Sequence, residues 1–163
     1  MPRVELTSVL PVSVEDGFAY ITNVRNWRSY WPGLIEIRDE ERVSWSAPGD
    51  RAHVVMRLLG RTVEYSMTLE ELRPNELVVY RTEAYSVLPA ARHERRFRAS
   101  GGRLAYGLAV YYEPRRGLRG LTDRLLVPRA VRKALAETVG NLERIFRGNP
   151  EETAPVKPPA AKS

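Results

Sequence analysis

Residues 51–70 read RAHVVMRLLGRTVEYSMTLE. Ala52, Val54, Met56 and Leu58 alternate with Arg51, His53, Val55 and Arg57. Val63, Tyr65, Met67 and Leu69 then alternate with Thr62, Glu64, Ser66, Thr68 and Glu70. A period of two sends each apolar set to one face of a strand. With Gly60-Arg61 as the turn between them, the two runs predict an antiparallel hairpin with one apolar face.

The same period extends in both directions. Upstream, Val4 to Leu10 is a weakly alternating strand ending at Pro11, which suits a sheet edge. SVEDGFAYITNVRNWRSYWPG follows at residues 13–33. Ser13 is a good helix N-cap, and Glu15 and Asp16 favour the first turn. Gly17 weakens a long helix, so two short helices are expected, with a break near Asn23 and a close at Pro32-Gly33. Leu34 to Ile37 and Val43 to Ser46 read as short strands, the second ended by APGD at 47–50. Downstream, Leu77 to Tyr85 is a strand, and Arg92 to Ala99 with Arg103 to Tyr112 forms a second hairpin around Ser100-Gly101-Gly102.

After Pro114 the period becomes helical. Leu118, Leu121, Leu125, Val131, Leu135, Val139, Leu142 and Phe146 predict one apolar stripe, with a kink or break at Pro128. Gly148 stops the helix. Residues 149–163 are proline-rich, lack large apolar groups and are expected to be a disordered tail, leaving residues 1–148 as one domain. The order is strand, short helix pair, about six to seven antiparallel strands, long helix. This is an α+β domain, and only the last helix is long enough to cover the sheet's apolar face.

Composition narrows the function. The chain has no cysteine, which removes disulfides and thiolate metal sites. Apolar residues make up 43% and no run reaches membrane-spanning length, so a cytoplasmic protein is expected. The net charge of +6 sits in residues 114–148, where nine Arg and Lys face three carboxylates. That segment is either a solvated helix face or a patch for an anionic partner. It lacks interleaved aromatics for base stacking, so no specific nucleic acid is expected, and at most weak association with anionic membranes.

The stretches PVSVEDGFAYITNVRNWRSYWPG, with Trp27 and Trp31, and RGLTDRLLVPRAVRKALAETVGNLERIF resemble the helix-grip superfamily, also called SRPBCC or START-like. Within it they are similar to the polyketide cyclase/dehydrase and lipid-transport group. The resemblance runs from Arg3 to Arg147. It implies a curved sheet wrapped around a long C-terminal helix, with a cavity between them that takes lipids, sterols or polyketides in various relatives. No metal and no cofactor are expected.

The candidate inner wall comprises Trp27, Trp31, Met56, Leu58, Tyr65 and Met67 from the first half of the chain. Tyr106, Leu108, Val110, Leu125, Ala134 and Thr138 complete it from the second half. Core packing and cavity lining are both open to these residues, since one part of the inner face packs on the helix while the rest lines the void. Small residues at Ala130, Ala134 and Thr138 leave volume under the helix. Arg81, Glu83 and Tyr65 are the candidates for any catalysis. If Leu77 and Val79 face inward, Arg81 and Glu83 do too; if Val78 and Tyr80 face inward, both charges lie outside. Neither His53 nor His93 has carboxylates at metal-ligand spacing. Three readings stand: a carrier or sensor of a hydrophobic small molecule, a polyketide cyclase or dehydratase on an aromatic precursor, and an interaction module using the basic helix. A monomer or a homodimer is expected.

Overall fold

The computed structural model of the protein describes residues 2–84 and 88–148. The tail at 149–163 and the end of the Leu77–Tyr85 segment lie outside them. Seven strands form one antiparallel sheet: β1 (Arg3–Leu10), β2 (Leu34–Ile37), β3 (Arg51–Leu58), β4 (Arg61–Arg73), β5 (Leu77–Thr82), β6 (Ala91–Ser100) and β7 (Arg103–Tyr112). Their order is β1-β7-β6-β5-β4-β3-β2. Short helices α1 (Val14–Thr22) and α2 (Trp27–Tyr30) follow β1, and α3 (Leu118–Arg147) lies across the concave face. This is the helix-grip fold.

Local chemistry places each piece. Ser13 caps α1 by accepting from the Asp16 amide at 3.1 Å. Asn23 ends α1 and caps the next turn by accepting from the Arg25 amide. Gly17 brings α1 down onto β7: a Cβ there would lie 2.6 Å from Leu104 Cδ2. The alternating runs pair as read, with Val54 opposite Tyr65 and Met56 opposite Val63. Leu10, Leu104 and Leu142 are fully buried where sheet and helix meet. Each such side chain contributes about 1.5–3 kcal/mol of hydrophobic stabilisation.

Three expectations are corrected. Val43 to Ser46 is not a strand. The Asp50 carboxylate accepts from Ser44 Oγ and from the amides of Ser46 and Ala47, offering the backbone a partner other than a strand. The segment instead delivers Trp45 into the core against Trp27 and Tyr80. Second, α3 runs unbroken through Pro128. Proline removes a single intrahelical bond, and helical turns on both sides hold the register. Third, the apolar stripe misplaces the first three turns of α3. Leu118, Leu121 and Leu125 point to solvent, and Gly120, Asp123 and Val127 form the buried side.

The reason lies in the segment before α3. It crosses so close to the helix that a Cβ on Gly120 would sit 1.9 Å from the Arg115 carbonyl oxygen. Arg115 then grips the fully buried Asp123. Its amide and Nε donate to Asp123 Oδ2 at 2.8 and 3.0 Å, and Nη2 donates to Oδ1 at 2.7 Å. A charged, bidentate clasp outweighs leucine burial in choosing this face.

Candidate functional site

Two neighbouring strands supply the polar floor. On β5, Val78, Tyr80 and Thr82 face inward, leaving Arg81 outside. Arg81 is exposed and pairs with Glu70 at 2.9 Å; Glu83 is exposed, 3.8 Å from Arg51. These two catalytic candidates are therefore corrected as an inward pair: Arg81 lies on the outer surface, and Glu83 is exposed at the end of β5, at the edge of a void of about 70 Å³ lined by Tyr65, Thr82 and His93. On β6, Phe97 packs inward against Tyr106 and Phe18, and the pleat carries Arg95 and His93 to the same side.

From the sequence, the register of Arg92, Arg95, Arg96 and Arg98 is open with most of them expected outside, and neither Arg95 nor His93 is among the site candidates. The strand ARHERRFRAS carries four arginines, and most of them do lie outside. The available signal was Phe97, its one large apolar residue, whose parity is shared by Arg95 and His93. Glu94 has the opposite parity and serves Arg92 and Arg96 on the convex face.

Arg95 is 8% exposed. Its Nη2 donates to the Tyr80 hydroxyl at 2.9 Å and its Nη1 reaches the Glu94 carbonyl at 3.3 Å. Among the described residues it has no carboxylate partner. An arginine keeps its charge inside a protein, so a positive charge faces the interior. The His93 ring stacks on Tyr80, with centroids 4.5 Å apart and planes 4° from parallel. Burial, with the Arg95 charge added, pushes the His93 pKa well below its ordinary value, so the imidazole is neutral. Its Nε2 lies 3.4 Å from Thr82 Oγ1, while Nδ1 is enclosed without a hydrogen-bond partner. Burial raises the Tyr65, Tyr80 and Tyr106 phenols above their usual range, leaving neutral hydroxyls.

Above this floor is a cavity of about 410 Å³ between the β3–β4 hairpin and the middle of α3. Of the expected wall, Trp31, Met56, Leu58, Tyr65, Val110, Ala134 and Thr138 border it, and so do Arg95, His93 and Tyr80. Ala130, Ala134 and Thr138 leave the room on the helix side. Tyr65 Oη lies 2.7 Å from Met56 Sδ. Trp27, Met67 and Tyr106 lie deeper, around a void of about 30 Å³ that Arg95 also borders. Leu108 is buried between Tyr106 and Val110 as core packing. Leu125 is not at the cavity: it is 54% exposed because Asp123 and Val127 take the buried side of its turn.

Chemically, the arrangement is a largely apolar chamber whose floor holds one buried positive charge, a neutral imidazole and neutral phenols, with Arg57 and the exposed Lys133–Glu137 pair at its edge. It suits an oxygen that is anionic or becomes so. Among the described residues no cluster of three or more His, Asp or Glu side chains is placed to hold a metal ion.

The sequence matches, over residues 1–147, the family described as polyketide cyclase/dehydrase and lipid transport. The chain belongs to that family. No curated protein matches it. Among solved structures it is similar to the protein TTHA0849 from Thermus thermophilus, at 15% identity and a TM-score of 0.71, covering 93% of this chain and 97% of that one. It is also similar to the Zhui aromatase/cyclase from a Streptomyces species, at 15% identity and TM-score 0.70, covering 90% and 96%. The di-domain aromatase/cyclase BexL from the BE-7585A biosynthetic pathway aligns at 14% identity and TM-score 0.70, over 91% of this chain and 51% of that chain. These likenesses show the helix-grip fold in this family member.

Proposed function

We propose that this family member binds a hydrophobic small molecule of lipid, sterol or polyketide-like character in the cavity under α3, as a carrier or sensor. An oxygen of the ligand that is anionic or strongly polarised meets Arg95. The observation that carries this reading is the buried guanidinium with no carboxylate partner among the described residues. A charge withdrawn from water costs several kcal/mol unless something compensates it, and one phenol does so only in part. A ligand oxygen completes the compensation. The chamber of about 410 Å³ falls within the usual size for small-molecule sites.

The test compares a long-chain fatty acid with the alcohol of equal length by calorimetric titration. The carboxylate should bind more tightly, and Arg95→Leu should erase that preference. Equal affinity of the wild-type protein for both would sink the reading. Native mass spectrometry of the freshly purified protein then identifies what it carries.

A second reading, cyclisation or dehydration of an aromatic precursor, draws support from the enclosed His93 Nδ1 beside Arg95 and from the neighbours named aromatase/cyclases. In that reading Arg95 stabilises an enolate-like oxygen and neutral His93 moves a proton. Turnover that collapses in His93→Gln while binding persists is the result that favours it over the carrier.

A further inference from the structure

The exposed side of α3 combines two features that ordinary solvated helices keep apart. Leu118, Leu121, Leu125 and Leu126 are 87%, 58%, 54% and 52% exposed. The first three are spaced by three and four residues and so share one helix face. Around and beyond them, Arg116, Arg119, Arg124, Arg129, Arg132 and Lys133 are exposed, while the acid within this stretch, Asp123, is buried in the grip of Arg115. From Arg116 to Arg132 the surface thus presents cations and leucines and no exposed carboxylate, whereas Lys133 pairs with the exposed Glu137 at 3.9 Å.

We propose that the N-terminal half of α3 is a docking face for the anionic surface of a lipid bilayer. A helix with leucines on one line and flexible cations beside them sits in the headgroup layer with its apolar side chains among the upper acyl chains. Long arginine stems let the guanidinium groups stay at phosphate level. Charge decides among occupants. A second copy of this chain would set the same five arginines against each other. A nucleic-acid backbone would leave the leucines without an apolar partner. Acidic lipid satisfies both features at once.

A second element points the same way. The β3–β4 turn places Leu59 in a left-handed conformation, φ 49°, where a side chain of this kind is unfavourable, and leaves it 59% exposed. Leu59 borders the cavity with the Lys133–Glu137 pair, so its rim carries a further exposed leucine. The docking face itself is independent of what the cavity holds.

Flotation with vesicles tests the proposal on the full chain. The protein should float with phosphatidylcholine vesicles containing phosphatidylglycerol, but not with phosphatidylcholine alone, and raised salt should release it. Leu118→Ser/Leu121→Ser/Leu125→Ser should weaken partitioning at least tenfold, as should Arg119→Gln/Arg124→Gln/Arg129→Gln. Both triple variants should keep the wild-type melting temperature and, in a separate assay, wild-type binding of a fluorescent fatty acid in the cavity. That second assay separates failure of the docking face from failure of the ligand reading. Absence of flotation on acidic vesicles at low salt overturns the proposal. So does flotation unaffected by the leucine changes. A dimer that the serine variants dissociate, or polyglutamate binding that they leave intact, assigns the face to another partner and overturns it as well.

Discussion

Arg95 reaches diagonally across the β5–β6 ladder to the Tyr80 hydroxyl, 2.9 Å away, although the residue directly opposite Tyr80 is His93. One phenol therefore receives a buried charge at its oxygen and a neutral imidazole on its ring. A guanidinium held for structure alone would normally have a carboxylate at this depth. Replacing Arg95 by Leu should leave stability unchanged or raise it by about 1–3 kcal/mol, because an incompletely compensated charge is removed from the interior. Chemical denaturation measures this. A loss of more than about 2 kcal/mol would mean that the arginine serves the fold.

His93 makes stability depend on pH. Its folded pKa lies below the unfolded value of about 6.5. The unfolded chain therefore takes up a proton that the folded chain resists. Its contribution is complete above that unfolded value and is lost as pH falls from there toward the folded pKa. The melting temperature should decline between about pH 7 and pH 5, and His93→Gln should flatten that portion of the curve. Curves of equal slope in this window would place the titration elsewhere.

Ala134→Trp should fill the space under α3. Binding of an environment-sensitive fatty-acid probe should fall at least tenfold, with a stability cost of about 1–3 kcal/mol from overpacking. By contrast, Arg81→Ala and Glu83→Ala should change probe affinity less than twofold and stability by less than about 0.5 kcal/mol, since both are exposed. Probe binding untouched by the tryptophan would move the ligand out of this cavity.

The start of α3 should be brittle. Gly120→Ala drives a methyl into the Arg115 carbonyl and should cost about 3 kcal/mol or more. Asp123→Asn removes the charge that Arg115 grips and should cost about 2 kcal/mol. The bonds from Arg115 hold the Asp123 carboxyl below its ordinary pKa. Its contribution is therefore complete above about pH 4 and is lost as pH falls further, through the folded value. Acid unfolding that is identical in Asp123→Asn and wild type would contradict this.

The β3–β4 and β7 strands were legible because alternation in 51–70 and 103–112 translates directly into register, whereas β5 is buried on both faces over Leu77 to Tyr80 and so gave no parity. The helix was half legible. Leu135, Leu142 and Phe146 are buried as their hydrophobicity suggests, but near Leu118 the buried side is chosen by a glycine contact and an ion pair, and neither gives an apolar signal. The cavity's floor was hidden for a related reason. In an arginine-rich strand, charge argues for solvent, and only the parity set by Phe97 reveals that one arginine of the set must turn inward.

Both ends of α3 are pinned. Arg115 fastens Asp123 at one end; at the other, Asn141 Nδ2 donates to the Tyr30 carbonyl at 2.9 Å and Phe146 packs edge-on to Tyr20. Between these anchors the helix crosses the void on small side chains, like a beam resting on two supports. On the proposed ligand reading, a bulky guest is expected to enter at the opposite lip, where the tip of the β3–β4 hairpin at Leu59-Gly60 borders the same cavity. Substitutions at positions 130, 134 and 138 can retune the chamber's girth from one descendant protein to the next while both fastenings stay in place.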